Sequence, residues 1–294
     1  MRHVLALALS LGTLAAAPLR AQTAFDPATM DPPRDAAHPP RVEELAIMSG
    51  GSRMNALMYV AQGAAPRPTV VLLHGYPGNE RNLDLAQAMR RAGMNVLFFS
   101  YRGAWGSGGT FSFANAQADV AAALRWVRSD SAIAAFHGDR RHVALVGHSM
   151  GGWLTLLGAA ADTNVRCAGG LEIGDMALQV RDAASAAGYG QYTSWLTAPG
   201  APLHADAAAL VAELRANAAA WTLPAHAAEL RARPVLLLDN AHNVNHAALV
   251  AAFRAAGATR LTEEVWQDTD HSFSDRRIAL ARRVVGWLHD SCGF

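Results

Sequence analysis

From Val42 to the C-terminus, short apolar segments alternate with stretches of helical pattern, a rhythm that few folds accommodate. Residues Thr69–Leu73, Asn95–Ser100, Val143–Gly147, Cys167–Ile173, Val235–Asp239 and Arg260–Trp266 form the apolar runs, several without polar alternation. A strand that alternates has one wet face; one that does not is covered on both, as in a parallel sheet between helical layers. Helical patterns fall between them at Arg81–Arg91, Asn115–Arg128, Gly151–Ala161, Ala247–Ala256 and Asp275–His289. Gly93 and Gly257 stand just past two of these, where helix C-caps belong. Ahead of them, Val42–Met48 and Met54–Val60 flank Ser49–Ser52 and read as an antiparallel pair. The expected class is α/β, a mostly parallel sheet with right-handed crossovers and helices on both faces.

The composition narrows the chemistry. The 294 residues carry 25 basic and 24 acidic side chains, so no basic excess suggests a nucleic-acid partner. Every basic residue is arginine, which excludes a P-loop lysine, a Schiff-base lysine and a Ser-Lys dyad. The two cysteines, Cys167 and Cys292, cannot form a four-thiolate metal site; they are either one bridge or two core residues. Residues 1–21 resemble a secretory signal: Arg2 and His3, an apolar run from Val4 to Ala17, and a small-residue cleavage point at Ala21. That run is shorter than a membrane span, and no later segment suits one, so the expected location is periplasmic or secreted without a stable membrane anchor. Residues 22–41, with five prolines between Asp26 and Pro40, read as an extended linker before a domain of residues 42–294.

The strongest local signal is Val143–Gly152, an apolar strand that runs into Gly147-His148-Ser149-Met150-Gly151 and at once into a helical pattern. Small residues on either side let the chain turn sharply and lift Ser149 above the sheet, next to the helix N-terminus. A serine hydroxyl needs a base to become nucleophilic. Of twelve histidines, His271 follows the last strand and precedes the final helix, where the order Ser…acid…His puts the base. Donors for a developing oxyanion are the amides of Tyr76, in the loop His74–Asn79, and of Met150. Pro77 has no amide hydrogen, which favours Tyr76, and His74 reads as a prop for the loop.

These motifs resemble the α/β-hydrolase superfamily, nearest its serine aminopeptidase and dienelactone-hydrolase-like branches. The likeness rests on His-Gly-Tyr-Pro-Gly-Asn at 74–79, Tyr101-Arg102-Gly103 with Gly106-Ser107-Gly108, Gly-His-Ser-Met-Gly-Gly at 147–152 and Asp-His-Ser-Phe at 270–273. It implies Ser149 as nucleophile, His271 as base, Tyr76 and Met150 as oxyanion donors, no cofactor or metal, and a helical cap over residues 176–232. The acid departs from the pattern. Relatives carry it about nine residues beyond a proline such as Pro234, and here that position is Asn243, which bears no charge. Asp239 at the end of the same strand is the favoured substitute; Asp175, Glu172 and the amide oxygen of Asn243 are the others.

Two further patterns are weaker. His242 and His246 lack the glutamate of a zinc-binding helix, and Gly106–Gly109 lacks the third glycine of a dinucleotide loop. Arg102 and Asp119 suit a structural pair. Trp195 and Trp221, in the insertion, either line an acyl pocket or pack the cap onto the sheet. The expected activity is an exported serine hydrolase that cleaves a carboxylic ester or amide through an acyl-enzyme, with a small-molecule ester or peptide substrate. A small-peptide aminopeptidase, with Glu172, Asp175 or Glu213 holding the substrate ammonium, is the rival enzyme; a non-catalytic binding protein on a decayed hydrolase fold is the other alternative.

Overall fold

A computed structural model describes residues 24–180, 186–196 and 203–294. Eight strands form one sheet in the order β1-β2-β4-β3-β5-β6-β7-β8. The hairpin β1 (Arg41–Ser49) and β2 (Ser52–Val60) is antiparallel, and β2 also runs antiparallel to β4 (Asn95–Phe99). From β4 onward, through β3 (Arg67–Leu73), β5 (Gly138–His148), β6 (Cys167–Leu171), β7 (Val235–Asn240) and β8 (Leu261–Trp266), every pairing is parallel. The apolar runs without alternation are explained by two cores. In β3 and β5, Val70, Leu72, Ala144 and Val146 enter one, while Val71, Leu73, Val143 and Leu145 enter the other.

The first core is covered by α1 (Leu83–Arg91) and α10 (Arg277–Trp287), the second by α2 (Phe113–Val127), α4 (Met150–Ala161) and α9 (His246–Ala255). The short helix α3 (Asp130–Phe136), capped by the Ser129 hydroxyl, was not visible in the apolar pattern. Arg102 donates to Asp119 from both its amide (2.8 Å) and Nε (2.5 Å), locking the loop after β4 onto α2 as a buried structural pair.

The insertion is helical where described: α5 (Met176–Gln179), α6 (Ala186–Leu196), α7 (Ala207–Trp221), a 3₁₀ turn at Leu223–His226 and α8 (Ala227–Leu230). Residues 181–185 and 197–202 of the expected cap, and the signal-like segment 1–21, lie outside the described residues.

The proline-rich stretch is not a free tether. Residues 24–40 hold no helix or strand, yet Asp26 accepts from Arg282, Pro27 O from Arg91, and Gln62 bonds both Pro33 O and Asp35 N. Cys167 and Cys292 are bonded, tying the start of β6 to the C-terminal turn after α10. Among the described residues, no helix is long and apolar enough to cross a membrane.

Candidate active site

Ser149 stands between β5 and α4 with φ 58° and ψ −123°, a left-handed conformation that turns the chain within one residue. Two glycines make the turn possible. A Cβ at Gly147 would lie 2.1 Å from Gly151 O, and one at Gly151 would lie 2.2 Å from Leu73 O. No side chain fits at those distances, so the elbow packs against β3 only through bare backbone. The carbonyl of Ser149 accepts from Gly152 and Trp153, which leaves the amide of Met150 at the open helix end without an intrahelical acceptor.

His271 arrives on the loop between β8 and α10, and three contacts fix that loop. Phe273 is fully buried beneath it, the Asp270 carboxylate accepts from the amides of Ser272 (3.0 Å) and Ser274 (2.8 Å), and Arg277 donates to Ser272 O (2.7 Å). A fourth comes from the elbow. His148 Nε2 donates to His271 O at 2.7 Å, and the two rings lie 4.8 Å apart. Burial pulls the His148 pKa down to about 4, so at neutral pH it is an uncharged anchor beside His271. Sequence reading passed over His148 as a filler position; only its partner, 123 residues away, reveals the role.

The favoured acid is elsewhere engaged. Asp239, at the end of β7, is buried and accepts from Ile173 N (2.8 Å), Asn243 Nδ2 (2.9 Å) and His246 Nδ1 (2.6 Å), so it pairs with His246 and not with His271. Burial raises the Asp239 pKa against these bonds, and the carboxylate raises that of His246. Asn243 turns its amide nitrogen to Ile173 O and Asp239 and its oxygen to Asn245 N, away from His271. Asp175 caps α5 and accepts from Leu223 N (2.9 Å), which binds the cap together. The carboxylate that faces His271 is Glu172: its Oε1 lies 3.5 Å from His271 Nδ1, and Oε2 accepts from Asn240 N at 2.5 Å. Glu172 follows β6 directly with φ 48°, and this left-handed step aims its buried side chain at the neighbouring loops. A separation of 3.5 Å is loose for a hydrogen bond but ordinary for a catalytic pair without substrate.

The loop after β3 lies against the elbow, since a Cβ on Gly75 would sit 2.9 Å from Ser149 Cβ and 3.4 Å from its Oγ. The next residue is Tyr76, whose amide therefore belongs to the same corner as that of Met150. Its ring points into the cap, where the hydroxyl donates to Leu196 O and the face meets Trp195 at 5.1 Å. Burial pushes the Tyr76 pKa up to about 12, keeping this donor protonated. His74 is buried on Tyr101 (ring centroids 4.5 Å) and donates from Nδ1 to Gly75 O, as a prop would.

Ser149 and His271 line one cavity of about 350 Å³, together with Glu172, Gly174, Met176, Trp195 and Val244. Trp195 thus belongs to the pocket wall, whereas Trp221 packs edge-on against Trp153 and takes its indole hydrogen bond at 2.8 Å. Glu213 accepts from the amides of Phe113 (2.8 Å) and Ala114 (3.2 Å), capping α2. Among the described residues, no group of three or more His, Cys, Asp or Glu side chains could hold a metal ion.

Three solved structures illustrate what this fold is similar to. Est1E from Butyrivibrio proteoclasticus with ferulic acid bound has a TM-score of 0.63 at 16% identity, covering 85% of this chain and 100% of its own. The esterase domain of a Rhodothermus marinus protein scores 0.60 at 18% identity, covering 84% and 98%. A 2,6-dihydroxy-pseudo-oxynicotine hydrolase scores 0.61 at 18% identity, covering 87% and 69%. No curated protein sequence matches the chain. Residues 70–283, which hold the elbow, the cap and the His271 loop, match the sequence profile of the alpha/beta hydrolase family. By that match, over most of its length, the chain belongs to the alpha/beta hydrolase family.

Proposed function

We propose that this protein is a serine hydrolase that cleaves a carboxylic ester through an acyl-enzyme, with Ser149 as nucleophile, His271 as base and Glu172 as the acid behind it. The observation that carries the proposal is the shared cavity, which Ser149 and His271 both line, with Glu172 lying 3.5 Å behind the imidazole. Ser149 Oγ attacks the ester carbonyl while His271 Nε2 takes its proton. The amides of Tyr76 and Met150 receive the oxyanion, and losing one such donor typically costs about 100- to 1000-fold in turnover. His271 then protonates the leaving alkoxide, the alcohol departs, and water attacks the acyl-enzyme with His271 again as base. Collapse of this second intermediate breaks the bond to Ser149 Oγ, which takes the proton back from His271, and the carboxylic acid leaves. Glu172 holds the Nδ1 proton and stabilises the imidazolium in both halves.

An ester is favoured over an amino-terminal peptide because the carboxylates that could grip an ammonium are already engaged. Glu213 caps α2, Asp175 binds the cap, and Glu172 stands behind His271. The esterases among similar folds point the same way by analogy. Export to the periplasm or beyond fits the signal-like residues 1–21, and the Cys167–Cys292 bond favours an oxidising compartment. Hydrolysis of p-nitrophenyl acyl esters and labelling by a fluorophosphonate probe, both abolished in Ser149→Ala, are the expected results. A preference for amino-acid anilides would transfer the assignment to an aminopeptidase, and folded protein without labelling would remove the enzyme altogether.

A further inference from the structure

The parallel strands carry the reacting groups at their carboxyl ends; at their amino ends stands a row of arginines. Arg141 lies in the first residues of β5, Arg166 directly precedes β6, Arg233 precedes Pro234 and β7, and Arg260 directly precedes β8. The pairings Ala144 with Cys167, Ala168 with Val235 and Val235 with Leu261 bring these four positions to one edge on adjacent strands, each strand about 4.8 Å from the next. Arg128 and Arg140 join them, and the six line a cleft of about 590 Å³ in which, among the described residues, Glu229 is the one acidic lining residue. The whole chain carries a net charge of +1, so this cleft is a local concentration of positive charge and not a general property of the surface.

The partners of these arginines indicate what the cleft lacks. Two have carboxylates: Arg128 bonds Asp162 at 2.5 Å and Arg140 bonds Asp130 at 2.6 Å. Three are held by neutral main-chain oxygens. Arg166 Nε donates to Cys292 O (2.7 Å), Arg260 Nη2 to Ser291 O (2.8 Å), and Arg233 to the carbonyls of Ala159 and Asp162. A carbonyl fixes a guanidinium in place without cancelling its charge. Arg141 makes no side-chain hydrogen bond among the described residues; its amide donates to Asp139, and its charge helps to lower the pKa of that carboxylate. Arg128 adds two donors, Nε and Nη2, that are buried and unpartnered. Oriented guanidinium forks around a cleft, three of them held by main-chain carbonyls, match the oxygens of a phosphate, which accept two parallel bonds from each fork.

We propose that this cleft binds a multiply charged phosphate group, of a free oligophosphate or of an anionic lipid headgroup. The site is separate from the hydrolytic pocket. Arg141 and Ser149 lie at opposite ends of β5, an extended strand whose rise puts them roughly 25 Å apart. The disulfide and the C-terminal turn supply the carbonyls that hold Arg166 and Arg260, so the site also gives the ordered C-terminus a purpose.

Calorimetric titration of the full chain with sodium tripolyphosphate at low ionic strength, and co-flotation with phosphatidic acid vesicles against phosphatidylcholine vesicles, test the proposal. Arg141→Glu removes no side-chain hydrogen bond among the described residues and so keeps the fold; Arg260→Ala is the second variant. The expected result is saturable binding in at least one arm, weakened roughly tenfold or more by either substitution and by added salt, with ester hydrolysis unchanged. Binding to tripolyphosphate identifies a free phosphate ligand, and binding to charged vesicles alone identifies a headgroup. Absence of saturable binding in both arms, or binding indifferent to Arg141→Glu, overturns the assignment.

Discussion

Replacing Glu172 by Gln separates the two candidate acids. The substitution keeps an oxygen to accept from Asn240 N, so the loop has no reason to move. It removes the charge 3.5 Å from His271 Nδ1 and can present an amide N–H there, which favours the unproductive tautomer. At that distance a unit charge pair is worth about 5 kcal/mol at an effective dielectric constant of 20 and about 1 kcal/mol in water. The carboxylate side chain is 6% exposed and the imidazole 56%, so the true figure falls between these limits. At 1.36 kcal/mol per decade this corresponds to a loss in kcat of between about tenfold and a few thousandfold. The assay is steady-state hydrolysis of a p-nitrophenyl ester with KM measured separately; the loss belongs in kcat because the imidazolium forms only as the reaction proceeds. Asp239→Asn is the control. It disturbs a buried network around His246 and Ile173, so it should lower stability by about 1–3 kcal/mol and leave kcat per folded molecule within a few-fold. The opposite outcome, with Asp239→Asn collapsing kcat and Glu172→Gln sparing it, would refute the reasoning.

Two further outcomes concern stability. Cys167 and Cys292 close a loop with a sequence separation of 125, for which the chain-entropy argument gives about 5 kcal/mol and typical measurements 2–5 kcal/mol. The double Cys→Ala variant should lose that much in urea denaturation, and an unchanged midpoint would contradict it. Burial lowers the pKa values of His74 and His148 from 6.5 to about 4, so above pH 6.5 both rings are neutral folded or unfolded. Between pH 6.5 and about 4 the unfolded chain takes up protons that the folded chain refuses, and stability falls by roughly 3 kcal/mol for each ring. His74→Phe should therefore flatten the dependence between pH 5 and 6 by about 1 kcal/mol per pH unit; an unaltered slope would mean that His74 is not held neutral.

What was legible in the sequence was what the chain decides locally. The interior strands could be read because a segment covered on both faces has no reason to alternate, and Ser149 because glycines at 147 and 151 frame it between an apolar strand and a helical pattern. Helix α3 was missed because seven residues between a turn and an edge carry too little periodic signal. The expected pairing of Asp239 with His271 differs from the structure for another reason. Counting from Pro234 locates a loop, but the direction of a side chain at its rim depends on strand register and on φ at a single residue, and neither is written in local composition. The competing partner was in view, since His246 lies seven residues from Asp239, yet only the fold shows the two joined. His148 was illegible on the same ground, because its bond spans 123 residues.

The register also explains how the carboxylate that faces His271 can lie one strand over. Leu171 pairs with Leu238, so Glu172 and Asp239 end neighbouring strands side by side, about 4.8 Å apart at the backbone. Two negative charges buried that close repel, and each carboxylate therefore needs its own donors. The protein divides the donors between them: Asp239 receives Ile173 N, the Asn243 amide and His246, while Glu172 receives Asn240 N and faces His271. Burial, and after it the Glu172 charge, lift the Asp239 pKa, and the bond from His246 works against both. Asn243 then has a physical reason to be uncharged. A carboxylate at that position would add a third negative charge to a pair already served by two histidines, whereas an amide donates to Asp239 and to Ile173 O at once. The loss of a charge at the family's usual acid position and the capture of Asp239 by His246 are therefore one arrangement, and it leaves Glu172 as the carboxylate free to face His271.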